Sequence, residues 1–401
     1  MNPKLRPLDM HWAEHDGEPV LVLRDRLDLA GKVVGVPAAL APLLALCDGT
    51  RDEGRLRAAF ELQTGIRLPA PTLTRFLAQL DETLLLDSPR YAAARAAILA
   101  DYRAAPFRPP ALAGQSYPAD PVALRGYFDN LCAEAPEPVD PTPPRGLICP
   151  HIDYMRGGPV YARTWQRAAE AVRQAEVVIV FGTDHMGAPG ALTPTRQRYA
   201  TPWGPLPLAS AVVEAMAEAL GEEAAFAEEL HHRSEHSLEL AITWLHYLRG
   251  ERPVEVAPVL CGSFYPFSEG PADPAALPVY DEVMAAIQAA TRGRRTLVVA
   301  AADLAHVGPA FGDERPLGLL DKQRLAANDE RRLAAACTGD AAAFLGVLRE
   351  ERDRQRVCGL PPIYFSLRLL GAAQGQVVTY AQCPADAEAG SLVSVAGVVY
   401  T

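Results

Sequence analysis

Four short segments place histidine beside a carboxylate. Pro150-His151-Ile152-Asp153 follows the apolar run Leu147-Ile148-Cys149, Thr183-Asp184-His185 follows Val177–Phe181, and Asp303-Leu304-Ala305-His306 follows Thr296–Ala302. Each run reads as a buried strand. The fourth segment, Ser234-Glu235-His236-Ser237-Leu238-Glu239, opens a helical pattern carried by Leu238, Ile242, Leu245 and Leu248, with Ser234 as its expected N-cap. In open α/β sheets ligands bind beyond the carboxyl ends of the strands, so three such ends predict one shared polar site. Imidazole ligates metals and titrates near neutrality. Asp153 and Asp184 are the expected ring-orienting groups or bases. Two histidines and a carboxylate with open positions suit non-haem Fe(II), and His/His/acid with water suits Zn. Metal-dependent hydrolysis, with Asp153 or Asp184 as base, is a further reading. His231, His232 and His246 read as surface or helix-face positions, and Cys149, Cys261 and Cys358 as buried thiols rather than nucleophiles.

The elements needed to position these residues are those of a layered α/β protein. Strands are expected at 147–150, 177–181, 254–260, 296–302, 377–380 and 392–400. Helices are expected at 121–132, around 160–173, at 209–220, from 234, and at 278–291, 321–336, 340–351 and 361–370. The Gly/Pro/Thr-rich stretch 187–207 is too long for a simple connection and reads as a site cover. Residues 1–95 form a separate module: short strands at 20–23 and 32–36, three helices, and a returning strand at Leu84–Asp87. An alanine-rich helix from Tyr91 to Tyr102 leads into a linker, 96–108, and the α/β domain occupies 109–401.

The charge of the 401-residue chain, −11, offers no footprint for nucleic acid or an anionic membrane. Within 1–95, 12 Lys/Arg stand against 13 Asp/Glu, which gives no support to DNA binding. The seven cysteines are scattered without a C-x-x-C pair, which argues against a disulfide framework or zinc knuckle. No run approaches the length of a membrane span, and the first residues lack a signal-peptide core, so a cytoplasmic protein is expected.

Arg108-Pro109-Pro110-Ala111-Leu112-Ala113-Gly114-Gln115-Ser116-Tyr117-Pro118 resembles the opening of Memo-family proteins. Matching blocks follow in family order: Pro150–Tyr154 with Gly157-Gly158-Pro159, Gly182–His185, Thr201–Gly204, Glu235–Glu239, Asp303–His306, and Cys358-Gly359 with Pro362-Ile363. Bacterial members are called AmmeMemoRadiSam system protein B. The resemblance implies a fold like that of class III extradiol (LigB-type) dioxygenases, a sheet flanked by helices. It implies His151 and His185 as metal ligands, with Fe(II) the first candidate and Zn or Cu the next. It implies Asp303 and His306 beside a third ligand, and His236 as the family's motif histidine; these three are the candidate catalytic residues. Ala305 stands where the animal proteins carry Cys and the dioxygenases their acid ligand, which leaves Asp303, His306 or His236 as substitutes. The module at 1–95 is similar to winged helices of the PqqD type. The implied partners are a radical SAM enzyme, an Ammecr-type protein and a peptide. Family resemblance is compatible both with a redox-linked enzyme and with a non-enzymatic binding protein.

Overall fold

The structure, a computed structural model, describes residues 2–140 and 142–401. It divides into two compact units, Met1–Ala104 and Ala105–Thr401.

In the first unit β1 (Asp9–His15), β2 (Glu18–Arg24) and β3 (Val33–Pro37) form an antiparallel sheet in that order. Asp16 and Gly17, at φ 52° and 80°, make the two-residue turn between β1 and β2. Four helices follow: α1 (Ala41–Leu46), α2 (Glu53–Thr64), α3 (Ala70–Glu82) and α4 (Pro89–Ala104). Asp52 caps α2 by accepting from Arg55 N, and Gly65 ends that helix at φ 70°. Leu23, Val34 and Val36 pack with Leu44, Leu80 and Leu85. The returning strand expected at Leu84–Asp87 does not form. Leu84 sits at φ 58°, off the extended region, and pairing is reduced to a single bridge between Leu5 and Leu86.

The second unit begins with α5 (Pro121–Glu134), β4 (Gly146–Cys149), α6 (Tyr154–Arg167), α7 (Ala169–Gln174), β5 (Val177–Thr183), β6 (Leu192–Pro194), β7 (Ala200–Thr201) and β8 (Gly204–Pro205). Next come α8 (Ser210–Leu220), α9 (Glu222–Ala225), α10 (Ser237–Arg249), β9 (Glu255–Cys261), α11 (Tyr265–Ser268), α12 (Pro278–Ala290), β10 (Thr296–Ala301) and β11 (His306–Val307). The unit closes with α13 (Leu319–Cys337), α14 (Ala341–Glu351), α15 (Leu360–Leu370), β12 (Gly375–Pro384) and β13 (Leu392–Tyr400). The helix expected around 160–173 therefore starts earlier and breaks in two at Ala168. The 187–207 stretch holds the edge strand β6 and the small β7–β8 hairpin.

The sheet is mixed, in the order β11-β13-β4-β10-β5-β9-β6, with β12 paired to β13. Its centre, β4-β10-β5-β9, is parallel. Both faces are covered, so the strands read as continuous apolar runs rather than alternating ones. Ile148, Ile179, Phe181, Val298 and Ala300 pack on one side against α8, α12, α14 and α15. Leu147, Val178, Val180, Leu297 and Val299 pack on the other against α5, α6 and α10. A cavity of about 460 Å³ lies at the N-terminal ends of the central strands, among Arg145, Arg294 and Arg295. Arg145 and Arg295 there donate to the carbonyls of Ala372 and Gln174, where α15 and α7 end. No helix among the described residues is long and apolar enough to cross a membrane.

A buried ion pair ties the start of this unit to the segment preceding α10. Arg108, fully buried, pairs with Glu239 and donates to the carbonyls of His232 and Glu235. Glu239 also accepts from Ala111 N, Leu112 N and the Tyr117 hydroxyl. Glu239, which the sequence sets beside His236, is thus a structural anchor. Removing one partner of such a pair strands the other charge in the interior. Glu239→Ala is expected to lower unfolding free energy by roughly 3–5 kcal/mol, as read from a denaturant titration.

Candidate metal centre

Strand register brings the site together. Ala301 of β10 pairs with Cys149 of β4 and with Gly182 of β5, so these three residues form one row across adjacent strands. His151 and Asp303 follow two residues beyond that row, and His185 three beyond it. β10 comes late in the chain yet lies between β4 and β5. His236 joins them from the N-cap of α10. One ligand atom from each of His151, His185 and His236 lies within 4.8 Å of the others, and the same holds for His151, Asp303 and Cys358.

Each histidine ring is held by Nδ1. His151 Nδ1 donates to the Ala301 carbonyl at 3.0 Å. His185 Nδ1 donates to Glu235 Oε2 at 3.0 Å, and His236 Nδ1 lies 2.9 Å from Glu235 Oε1. The buried Glu235 also accepts from the backbone N–H groups of His185, His236 and Ser237. One carboxylate therefore caps α10 and aligns two rings that stack 4.9 Å apart at 14°. With Nδ1 engaged, Nε2 of each ring is left to face a ligand, the usual arrangement behind a metal-bound imidazole. His151 is buried, while the side chains of His185 and His236 are 38% and 39% exposed, so the cluster opens to solvent on their side.

Cys358 completes the cluster. Its Sγ lies 3.3 Å from His151 Nε2 and 4.0 Å from His306 Nε2. Asp303 Oδ2 lies 3.6 Å from the same His151 nitrogen. Ligand atoms on one tetrahedral ion with N and S donors sit roughly 3.3–3.7 Å apart, so these spacings fit a metal. Backbone packing delivers the thiol. Gly359 N donates to the Asp303 carbonyl, and a Cβ at Gly359 would meet that oxygen at 2.3 Å, so only glycine allows the approach. Thr183 Oγ1 holds the Cys358 carbonyl at 3.0 Å, linking it to β5.

The electrostatics run against burial. Burial raises the Cys358 thiol, but His151 and His306, with hydrogen bonds from His151 and His185, outweigh it and hold the thiol well below its ordinary range. Burial lowers His151, but Asp303 and the Cys358 thiolate outweigh it and push the imidazole up to about 9. His185 is likewise raised, burial being overcome by Glu235 and Cys358. Cys149 and Cys261, buried without such partners, go the other way. In this arrangement the ring protons occupy the place a cation takes.

A family model described as "Memo-like protein" matches residues 108–399. The chain belongs to the Memo family. It is 26% identical to a MEMO1 family protein of Aquifex aeolicus over the full length of both. It is 27% identical to one of Methanopyrus kandleri, covering 68% of this chain and 91% of that one. A Thermus thermophilus relative is 28% identical over 68% of this chain and 76% of its own.

Several expectations are corrected in this Memo-family chain. The carboxylates next to His151 and His185 in sequence do not orient their rings. Asp153 caps α6 through Arg156 N and pairs with the Arg156 side chain. Asp184 Oδ2 takes His231 Nδ1 at 2.8 Å, a hydrogen-bond length that accounts for the contact between those two residues without an ion. The His151 ring is oriented instead by the Ala301 carbonyl and the His185 ring by Glu235, both from other segments, while Asp303 holds the His151 backbone. Ser234 is not the cap of α10. Ala305 faces away from the histidines into a small apolar cluster with Val307, Leu325 and Leu392, so its lack of a ligating atom leaves the site intact. Cys358, set just before α15 and expected only as a buried thiol, supplies a sulfur donor beside His151 and Asp303. Its signal was the Cys-Gly pair ahead of a helix start, where a thiolate is favoured. His306 Nδ1 points at the Leu304 and Arg356 carbonyls, leaving Nε2 toward Cys358.

His231 and His232 are buried rather than at the surface, and His246 is half-buried on a face of α10. His232 donates from Nε2 to the Thr193 carbonyl, accepts at Nδ1 from the Tyr199 hydroxyl, and is held down to about 4 by burial. Unfolded histidine titrates near ~6.5. The stabilisation from neutral His232 is therefore complete above ~6.5 and is lost as pH falls toward its folded value, to a limit of roughly 3 kcal/mol. Unfolding free energies of wild type and His232→Gln, compared from pH 7 to 4, should converge as pH falls. A difference that stays constant would rule this account out.

Proposed function

We propose that this Memo-family protein is a metalloprotein with oxidoreductase-type, dioxygenase-like chemistry at the histidine–thiolate centre. Fe(II) is the first candidate ion, with Zn or Cu next, and the scaffold is read as like that of class III extradiol dioxygenases. The observation that carries the reading is the convergence of His151, His185 and Cys358, each ring fixed through Nδ1 and the thiol held as thiolate. Imidazole and thiolate donors favour a transition metal over Mg or Ca, and three ligands leave positions open for substrate. A redox-active ion bound there supplies the electron chemistry. The chain's own groups do the rest. Asp303 accepts from His151 N and Ile152 N, fixing the ligand-bearing turn and balancing the His151 charge. Glu235 fixes His185 and His236 as a pair. His236 is the additional imidazole that would be available to hold the ion, and His306 Nε2 is the proton-carrying group beside the thiolate. Metal content after anaerobic purification tests this: close to one equivalent in wild type, lost in His151→Ala/His185→Ala and in Cys358→Ala. Wild type without metal after reconstitution with Fe(II), Zn or Cu would remove the reading.

A recognition role for the N-terminal unit, read as a PqqD-like winged helix, is the second reading. It is supported by the sheet order, which leaves one side of β3 without a strand partner among the described residues. Beside it runs a groove of about 430 Å³ lined by Val33, Val34, Gly35, Gln79, Glu82 and Thr83. Backbone N–H and C=O groups along an open edge suit an extended peptide. In this reading the protein presents a peptide to a radical SAM enzyme and an Ammecr-type partner, and the second unit is a binding scaffold. Gly35→Pro should weaken peptide binding. Equal recovery of peptide and partners by wild type and Gly35→Pro in a pull-down would sink it.

A further inference from the structure

A charged network lies behind the metal centre and touches no ligand. Arg332 of α13 is fully buried, as is its partner Asp329, one turn earlier. The Arg332 guanidinium donates to Asp329 Oδ1 at 2.8 Å, to Glu351 Oε2 from Nε at 2.9 Å, and to Gln355 Oε1 at 2.5 Å. Asp329 in turn accepts from the Tyr380 hydroxyl and is hydrogen-bonded by Ser394. Ser394 Oγ accepts from Ala305 N, and the Ser394 backbone bonds Leu304 N and the Ala305 carbonyl. Gln355 closes the circuit, its carbonyl accepting from His306 N at 2.7 Å. One buried arginine thus joins the 303–306 strand end to the segment that leads into Cys358.

That segment is strained. Arg352, Asp353 and Arg356 have φ of 51°, 42° and 54°, all in the left-handed region without being glycine. Such angles are unfavourable for residues that carry a Cβ and persist only where surrounding contacts over-determine them. The contacts inside the segment are local: Val357 N and Arg356 N on Asp353, and Asp353 N on the Leu348 carbonyl. Glu351 and Gln355 bracket the strained stretch, and both are held by Arg332.

We propose that Arg332 is the positioning residue of the thiolate arm: it clamps 351–355 in this conformation and so sets Cys358 Sγ against His151. The inference rests on the metal-centre reading above. It separates the site into two halves. The histidine half is fixed by strand register and Glu235, and the thiolate half depends on a side chain that makes no contact with it.

The test is titration of the full-length, metal-free chain with Co²⁺ under anaerobic conditions. The thiolate-to-cobalt charge-transfer absorption reports Cys358, and thermal unfolding reports the fold. Wild type should bind one Co²⁺ with the charge-transfer band, and Cys358→Ser should lose the band. Arg332→Met should unfold cooperatively, with the band lost or strongly reduced and Co²⁺ affinity down about tenfold or more, the usual scale for groups behind the ligands. Arg332→Met/Cys358→Ser should bind no more weakly than Cys358→Ser alone. Gln355→Leu, which disturbs less of the interior, should reproduce the loss of the band and serves if Arg332→Met does not fold. Variants with wild-type band and affinity would overturn the role of Arg332 while leaving the metal centre standing. A wild type that binds no Co²⁺ would overturn both.

Discussion

The site depends on the insertion of β10 between β4 and β5. Parallel strands lie about 4.8 Å apart, so β4 and β5, on either side of β10, stand about 10 Å apart, and the His151 and His185 side chains meet by reaching across the end of β10, with ring centroids 5.2 Å apart. Placing β10 there sets Asp303 beside His151, and its register fixes how far beyond the last hydrogen-bonded row each residue stands. A slip of one residue would invert every side chain across the sheet. Burial on both faces prevents such a slip, because Ile148, Val298 and Ile179 must face one helical layer and Leu147, Leu297 and Val178 the other.

Given that frame, the chemistry follows from compensation of charge in a partly enclosed space. Four imidazoles, a thiol and two carboxylates meet at the strand ends. Isolated burial would neutralise each of them. Their mutual contacts reverse that outcome, and Cys358 and His151 hold each other charged against the desolvation that acts on both. The same chain shows the uncompensated case: His232, equally buried but facing a hydroxyl and a carbonyl, stays neutral. The difference between these two buried histidines lies in the partners of the ring, not in the depth of burial.

The supporting carboxylates divide the labour in a way that local sequence conceals. Glu235 serves two rings and a helix N-terminus at once, which explains why it precedes His236 directly: only a residue at that turn can reach the N–H groups of α10 and the His185 ring together. Glu239, one helical turn on, instead neutralises the buried Arg108 and keeps the segment bearing His232 and Glu235 in place.

The sequence by itself determined the layered α/β class, the three strand ends and the presence of His151, His185, His236, Asp303 and His306 near them. Those are local properties: apolar runs of strand length, breaker residues, and polar groups at the break. It did not reveal that Asp153 and Asp184 turn away to other partners while Glu235 turns in, since a neighbour in sequence at a strand end points to a different side. Nor did it reveal Cys358, which enters from a helix start more than 200 residues after His151 through an approach that only Gly359 permits. Leu84 departs from the expected strand for a related reason: one left-handed backbone angle is set by packing, not by residue type. Tertiary structure alone decided which groups share the site, because pairing β10 between β4 and β5 is a long-range event that no window of sequence contains.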